Sequence, residues 1–373
     1  MAAASKFRLN EDERQVIRYL RTYGPTCRSD IALSLGLSNF SLTQISKSLL
    51  ALGLVEETAA RGPQGRGRPS IPLQISPAGG YAVGAAIHRG VLDIALVDYT
   101  GAMIAHLSEP FDSPDPAVFA SVLRNRMKEL ADEHRLFGTT LLGLGIGLPG
   151  YSKPGDDSQW WHVIDALSGW RDVPVARMLQ DELGVPVWIE NDANAAALAE
   201  YYLGGLLSRF TNAVVILLGH GIGAGMITDG RLLRGEYGNA GEIGVFYPGS
   251  PRPSTLDLLA FLRENGVDIR SISDFEAMTK DHGDLVEQWM LRAAGQLELV
   301  VNMAQAWFNP GAIVISSPLP YAFVERLVTR INEATASPFP NLKRAQTVEV
   351  SKLGATATTL GAALLPIHAS VMS

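Results

Sequence analysis

A single cysteine, Cys27, excludes an intrachain disulfide and any zinc site that needs several thiolates, because each ligand must come from a separate side chain. Charged residues are scarce too, 18% of 373, whereas hydrophobic residues reach 47%, enough for two or three buried cores and against pervasive disorder. The first residues lack the apolar core of a signal peptide, and no run of about 18 apolar residues offers a bilayer span. A soluble, cytoplasmic chain with no membrane partner is therefore expected. The histidines are scattered without metal-ligand spacing and are assigned no catalysis.

The net charge of −7 argues on average against nucleic acid, but the average conceals a split. Residues 1–70 carry ten Lys or Arg against six Asp or Glu, which leaves 21 against 32 for the rest. That asymmetry describes a basic head on an acidic body.

In the head, Val16, Ile17 and Leu20 recur at helical spacing after Asn10, an N-cap residue, and Gly24-Pro25 stops the run. Ile31 to Leu35 form a short second helix ending at Gly36. Ser38 caps a third, with Leu42, Ile45, Leu49 and Leu52 as its apolar stripe. The spacing is that of a helix-turn-helix. Ser38, Asn39, Ser41, Thr43, Gln44 and Lys47 form the outward face, short hydrogen-bonding groups plus a cation that suit base edges and phosphates. Two strands, 54–57 and 71–75, enclose Arg61-Gly62-Pro63-Gln64-Gly65-Arg66-Gly67-Arg68-Pro69, a winged hairpin with a cationic tip. Glycines let its backbone approach a duplex while Arg66 and Arg68 enter a minor groove, with Arg61 at its base.

Beyond Ser76-Pro77, the apolar runs Tyr81–Ile87 and Leu92–Val97 open an α/β domain. Leu141–Leu148 ends in Gly147-Leu148-Pro149-Gly150, and Val187–Glu190 runs into Asn191-Asp192 at a helix start, where open α/β sheets place ligands. The helix with Leu297, Val300, Val301 and Ala304 reads as core or subunit interface.

These parts, with Ser168-Gly169-Trp170, Glu190-Asn191-Asp192-Ala193-Asn194-Ala195-Ala196, Gly221-Ile222-Gly223-Ala224-Gly225, Gly238-Asn239-Ala240-Gly241-Glu242-Ile243-Gly244 and Leu360-Gly361-Ala362-Ala363, stand in an order that resembles the ROK family of repressors, open reading frames and sugar kinases. The resemblance covers nearly the whole chain. It implies an α/β fold, a two-lobed actin-like, sugar-kinase-like (ribonuclease H-like) body with a cleft between the lobes, preceded by the winged domain. The expected domains are a winged DNA-binding head over 1–78 and an effector-binding, oligomerising body over 79–373. Within the body, lobe one covers about 79–190 plus the C-terminal helix, and lobe two about 191–354.

Departures from the family carry as much information. Kinase members have an Asp-x-Gly-Gly-Thr phosphate loop where this chain reads Ala86-Ile87-His88-Arg89-Gly90, without the carboxylate and with bulk where phosphate needs glycine. A second phosphate loop survives in part as Gly219-His220-Gly221-Ile222-Gly223, equally readable as a turn between strands, and an expected Gly-Gly reads Ser316-Ser317. ATP is therefore not expected. By resemblance, Asn191, Asp192 and Glu242 bind sugar hydroxyls, each carboxylate able to take two donors. Asp192 matches the general base of the kinases, but with no phosphoryl donor no catalytic residue is assigned. Capping of a helix by Asn191 or Asp192 is the structural alternative. The family's zinc-binding histidine and cysteine cluster is replaced by Val245 and a cysteine-free 247–255, so no metal is expected, while Asp257 replaces a glutamate and reaches ligand.

The reading is a sugar-controlled transcriptional regulator, a repressor, that binds a double-stranded operator as a homodimer or homotetramer. A sugar kinase with an added head and a ligand-independent repressor with a vestigial cleft are the alternatives.

Overall fold

Asn10 opens the first helix as its spacing predicts. In the computed structural model α1 (Glu11–Tyr23) starts with a capping box, the Asn10 side chain accepting the Glu13 N–H while Glu13 takes the Asn10 N–H, both at 2.9 Å. The structure describes residues 7–59, 71–88, 90–113, 115–152, 161–163, 165–171, 173–249, 251–334 and 347–372. Arg61, Arg66 and Arg68, the expected wing cations, lie outside the described residues.

After β1 (Thr26–Cys27), α2 (Arg28–Leu35) closes on Gly36, whose φ of 66° is the left-handed conformation that glycine tolerates. Ser38 then caps α3 (Asn39–Ala51) by accepting the Ser41 N–H at 3.0 Å. β2 (Val55–Glu57) and β3 (Pro72–Ile75) pair antiparallel, Val55 opposite Ile75, and β1 adds to the other edge of β3. Val16, Ile17, Leu20, Ile31, Leu42, Leu49, Leu54 and Leu73 form the buried core of this head. Leu52, expected on the buried stripe, is instead 44% exposed, because the helix ends at Ala51 and the stripe ends with it.

The rest of the first unit is built on five strands. They are β4 (Tyr81–His88), β5 (Val91–Asp98), β6 (Met103–Pro110), β7 (Leu141–Leu148) and β10 (Val187–Asn191); of the two short strands between β7 and β10, β8 (Gly150–Ser152) belongs to the second unit and β9 (Trp161–Val163) to the first. The order of the five is β10-β7-β4-β5-β6, with β4 antiparallel to β5 and parallel to β7. α4 (Pro116–Glu133) and α5 (Val175–Leu183) complete it, Phe119 packing against the fully buried Trp170. β6, at the sheet edge, alternates half-buried and exposed residues, with Ala105 its one buried position.

By contacts the chain divides into two compact units, 1–147 with 155–190 and 362–373, and 148–154 with 191–361. The head thus belongs to the first unit. Arg21 of α1 donates to the carbonyls of Tyr99 at 2.6 Å and Thr100 at 3.3 Å and lies over the Tyr99 ring, while Arg18 donates to the Val371 carbonyl.

The second unit holds α6 (Asp192–Tyr202), β11 (Ala213–Leu218), β12 (Ile222–Thr228), β13 (Arg231–Leu232), α7 (Thr255–Glu264), α8 (Phe275–Thr279) and α9 (Gly283–Trp307). β14 (Ala312–Ser316), α10 (Tyr321–Ala334), β15 (Val348–Val350) and the start of α11 (Ala357–Met372) follow. Its sheet runs β13-β12-β11-β14-β15, with β11 antiparallel to β12 and parallel to β14. Leu297, Val300 and Val301 of α9 are buried against Ile313, Ile315 and Leu327, as a core helix requires. The stretch Gly354–Met372 does match a membrane span in length and apolarity, contrary to expectation, but 72% of it is buried inside the fold, as in the core helix of a soluble protein.

Candidate functional site

Two sets of residues bear chemistry, one in the head and one at the start of α6. In the head, Ser38, Asn39, Thr43, Gln44 and Lys47 are exposed and Ser41 is half-buried, so the six expected side chains share the outer face of α3. From Ile31 to Val55 the sequence contains no acidic residue, so nothing on this helix repels a polyanion. The three hydroxyls are turned largely to the helix itself. Ser38 and Ser41 share a hydrogen bond at 2.8 Å, and Thr43 donates to the Asn39 carbonyl at 2.7 Å. Asn39, Gln44 and Lys47 are left as the long polar reach of the face. Phe40, which the polar pattern passes over, stands among them and is 74% exposed.

At the second set, β10 delivers Asn191 and Asp192 to the start of α6. Asn191 is the N-cap: its carbonyl accepts the N–H groups of Ala193 at 2.8 Å and Asn194 at 3.2 Å, and its amide donates to Gly150 O at 2.7 Å. The capping alternative thus describes Asn191, whose bonds fix the helix start and the 150 turn together. Asp192 also takes the Ala193 N–H at 2.8 Å. Burial pushes its carboxyl up to about 7 against the pull of that N–H, and the nearby charge of Glu242 adds to the rise. Burial likewise raises the Glu242 carboxyl, to which no side-chain hydrogen bond is made among the described residues, while its backbone carbonyl accepts the Val245 N–H at 3.3 Å.

Close backbone packing holds these groups. A Cβ on Gly225 of β12 would stand 2.5 Å from both Ala193 O and Ala197 Cβ, and one on Gly361 of α11 would stand 1.7 Å from Ala195 O. The small residues of α6 therefore seat it between β12 and α11 at backbone distance. Gly241, with a φ of 94°, leaves no room for a side chain against Ala224 O and accepts the Ala224 N–H at 2.9 Å, which pins the Glu242 loop to β12. Two carboxyls with no cationic partner among the described residues, both raised by burial, favour a neutral ligand rich in hydroxyl donors over an anion.

Asp257 belongs elsewhere. It is 9% exposed, and its Oδ2 accepts Trp289 Nε1–H at 2.7 Å and an Arg292 guanidinium N–H, which joins α7 to α9. Its Oδ2 is thus engaged by a buried indole and a guanidinium of α9.

At the β4–β5 tip, only Arg89 and Gly90 separate the paired residues His88 and Val91. Asp93 lies between His88 Nε2 at 3.0 Å and His106 Nε2 at 3.6 Å. Residues 219–221 close the β11–β12 hairpin, the turn alternative, with Gly219 N–H donating to Gly221 O at 3.1 Å. Ser317, where a glycine is expected, is buried and donates to Leu218 O at 2.8 Å.

The sequence pattern of the ROK family matches residues 85–251. The chain is 30% identical to the uncharacterized protein y4fQ of Sinorhizobium fredii, over 96% of this chain and 91% of that one. It is 25% identical to the DNA-binding transcriptional repressor Mlc of Escherichia coli, over 94% and 91%. Among solved structures, a ROK family transcriptional regulator described as a homolog of E. coli Mlc matches with a TM-score of 0.70 at 23% identity, over 97% of this chain and 96% of the other. The ROK hexokinase from Thermus thermophilus matches 76% of this chain and 97% of its own, with a TM-score of 0.58 at 24% identity. Both likenesses bear out the expected actin-like, sugar-kinase-like α/β fold of the body, and the match to the regulator extends over the head as well.

Proposed function

The chain belongs to the ROK family, and on that premise we propose that it is a sequence-specific DNA-binding transcriptional regulator, a repressor of carbohydrate genes, controlled by a sugar or sugar derivative. The observation that carries this reading is the pairing, in one chain, of a capped helix with an exposed, acid-free polar face and a carboxyl pair without cations. Asn39, Gln44 and Lys47 meet the operator, and Arg61, Arg66 and Arg68 add phosphate and minor-groove contacts. Asp192 and Glu242 take the hydroxyls of the effector, and Asn191 positions them. Ligand acts by favouring one of two arrangements of the protein, a population shift that needs differential affinity. The site of action is the cytoplasm.

The protein works without zinc and without phosphoryl transfer. The two-residue β4–β5 tip and the pairing of Asp93 with His88 and His106 support the second of these, since the groups beside the tip are engaged with one another.

The regulator is a homodimer. Leu291, Gly295, Leu299, Met303 and Trp307 fall on one i, i+4 row of α9, and Leu291, Leu299 and Trp307 are more than half exposed. Between residues 293 and 311 the only charged side chain is Glu298, and a Cβ on Gly295 would meet nothing within 4 Å. A charge-poor apolar ridge with an open glycine suits a second copy of the same helix crossing it, ridge into groove. Two heads then address two half-sites about one DNA turn, ~34 Å, apart.

The test is sequencing of genomic fragments selected by the purified protein, with and without a mixture of sugars. A palindromic site whose recovery changes with sugar is the expected result, and no enrichment in either condition would refute the reading. Turnover of ATP with hexoses or pentoses would favour a kinase instead.

A further inference from the structure

Phe40 is the second residue of α3, one turn before Gln44 and nearly two before Lys47, so the three lie along one side of the helix. It lies off the stripe of Leu42, Ile45 and Leu49 that faces the core, and among the described residues it makes no ring contact. Isolated exposed apolar side chains are common on protein surfaces. This one occupies the N-terminal turn of a recognition helix, the part that meets base edges. The hydroxyls of Ser38, Ser41 and Thr43 around it are engaged with the helix, so the apolar ring is the largest group this turn presents. In the major groove the matching apolar group is the C5-methyl of thymine.

We propose that Phe40 is a specificity-determining residue that packs on the methyl group of one thymine in each operator half-site. The neighbouring amides of Asn39 and Gln44 suit the N6 and N7 edge of adenine, which places this thymine in an A·T-containing step. The inference rests on the regulator reading given above.

The experiment uses the full-length protein and the best site recovered by genomic selection. Each thymine of both half-sites is replaced in turn by deoxyuridine, which removes the methyl group and leaves the pairing edge intact, and the dissociation constant is read by fluorescence anisotropy. One position is expected to weaken wild-type binding by about four-fold, the equivalent of one buried CH₂, and its symmetry mate to do the same. Phe40→Ala is expected to bind at least about ten-fold more weakly and to be indifferent to that replacement, with Phe40→Leu between the two. The slope of affinity against salt should be unchanged in both variants, because the ring carries no charge. Circular dichroism of both variants checks that the head is folded, as the exposure of Phe40 leads one to expect. Wild-type indifference to every deoxyuridine, or Phe40→Ala retaining the full penalty, would overturn the proposal while leaving the regulator reading standing. Failure to enrich any site would overturn both.

Discussion

Replacing Asp192 by Asn isolates the cost of holding an ionisable group at the start of α6. Burial raises the Asp192 carboxyl from the usual 3.8 to about 7. The native state therefore keeps its proton up to about pH 7, whereas the unfolded chain releases it near pH 4. Stability from this group is complete below about pH 4, is lost as pH rises towards 7, and stays lost above it. Roughly three pH units at about 1.36 kcal/mol each amount to about 4 kcal/mol. Asn can still accept the Ala193 N–H through its Oδ1 and never ionises. We predict that Asp192→Asn is more stable than wild type by up to about 4 kcal/mol at pH 8 and by almost nothing near pH 4. Urea unfolding followed by tryptophan fluorescence at pH 4.5, 6, 7 and 8, at constant ionic strength, measures the difference. A gap of the same size at every pH, or a less stable variant at pH 8, would refute the burial argument.

Effector binding should strengthen between pH 6 and 8 and release protons, since hydroxyl donors favour the ionised carboxyls; calorimetry in buffers of different ionisation enthalpy counts them. Asn191→Ala should cost about 1–2 kcal/mol through loss of the α6 cap, read as a lower urea midpoint. Arg66→Ala with Arg68→Ala should weaken DNA binding across many sequences and flatten its salt dependence by up to about two counterions per head, measured by anisotropy from 50 to 300 mM salt, roughly. Leu299→Glu with Trp307→Glu should give a folded monomer in sedimentation velocity, with a circular dichroism spectrum like that of wild type.

Much of the head was legible because its punctuation is local. Asn10, Gly24, Gly36 and Ser38 start and stop helices through bonds that span only a few residues, and each stands where its chemistry requires. β6 escaped notice because edge strands carry polar residues on one face and show no continuous apolar run. The packing of Asp257 is hidden in the sequence for a different reason. Its partners Trp289 and Arg292 are more than 30 residues away on α9, and a buried carboxylate and a ligand-facing one look alike until the partner helix is in place. Phe40 leaves a readable trace in the sequence, an aromatic residue two positions off the apolar stripe, though a polar pattern on that face does not single it out. The alanines of α6 read as a helix, and only packing reveals that their small size is a matter of clearance from Gly225 and Gly361.

That clearance also limits how this receptor can diversify. Enlarging Ala193 or Ala197 would drive side chains into the β12 backbone at Gly223 and Gly225, so that floor of the site is closed to variation by substitution. Change of effector would instead have to come through the 237–249 segment that carries Glu242, where Tyr237, Val245 and Phe246 are exposed and side chains can be exchanged without displacing a helix. A library confined to that segment should yield altered ligand preference at little loss of folding, whereas one confined to α6 should yield mostly unfolded protein.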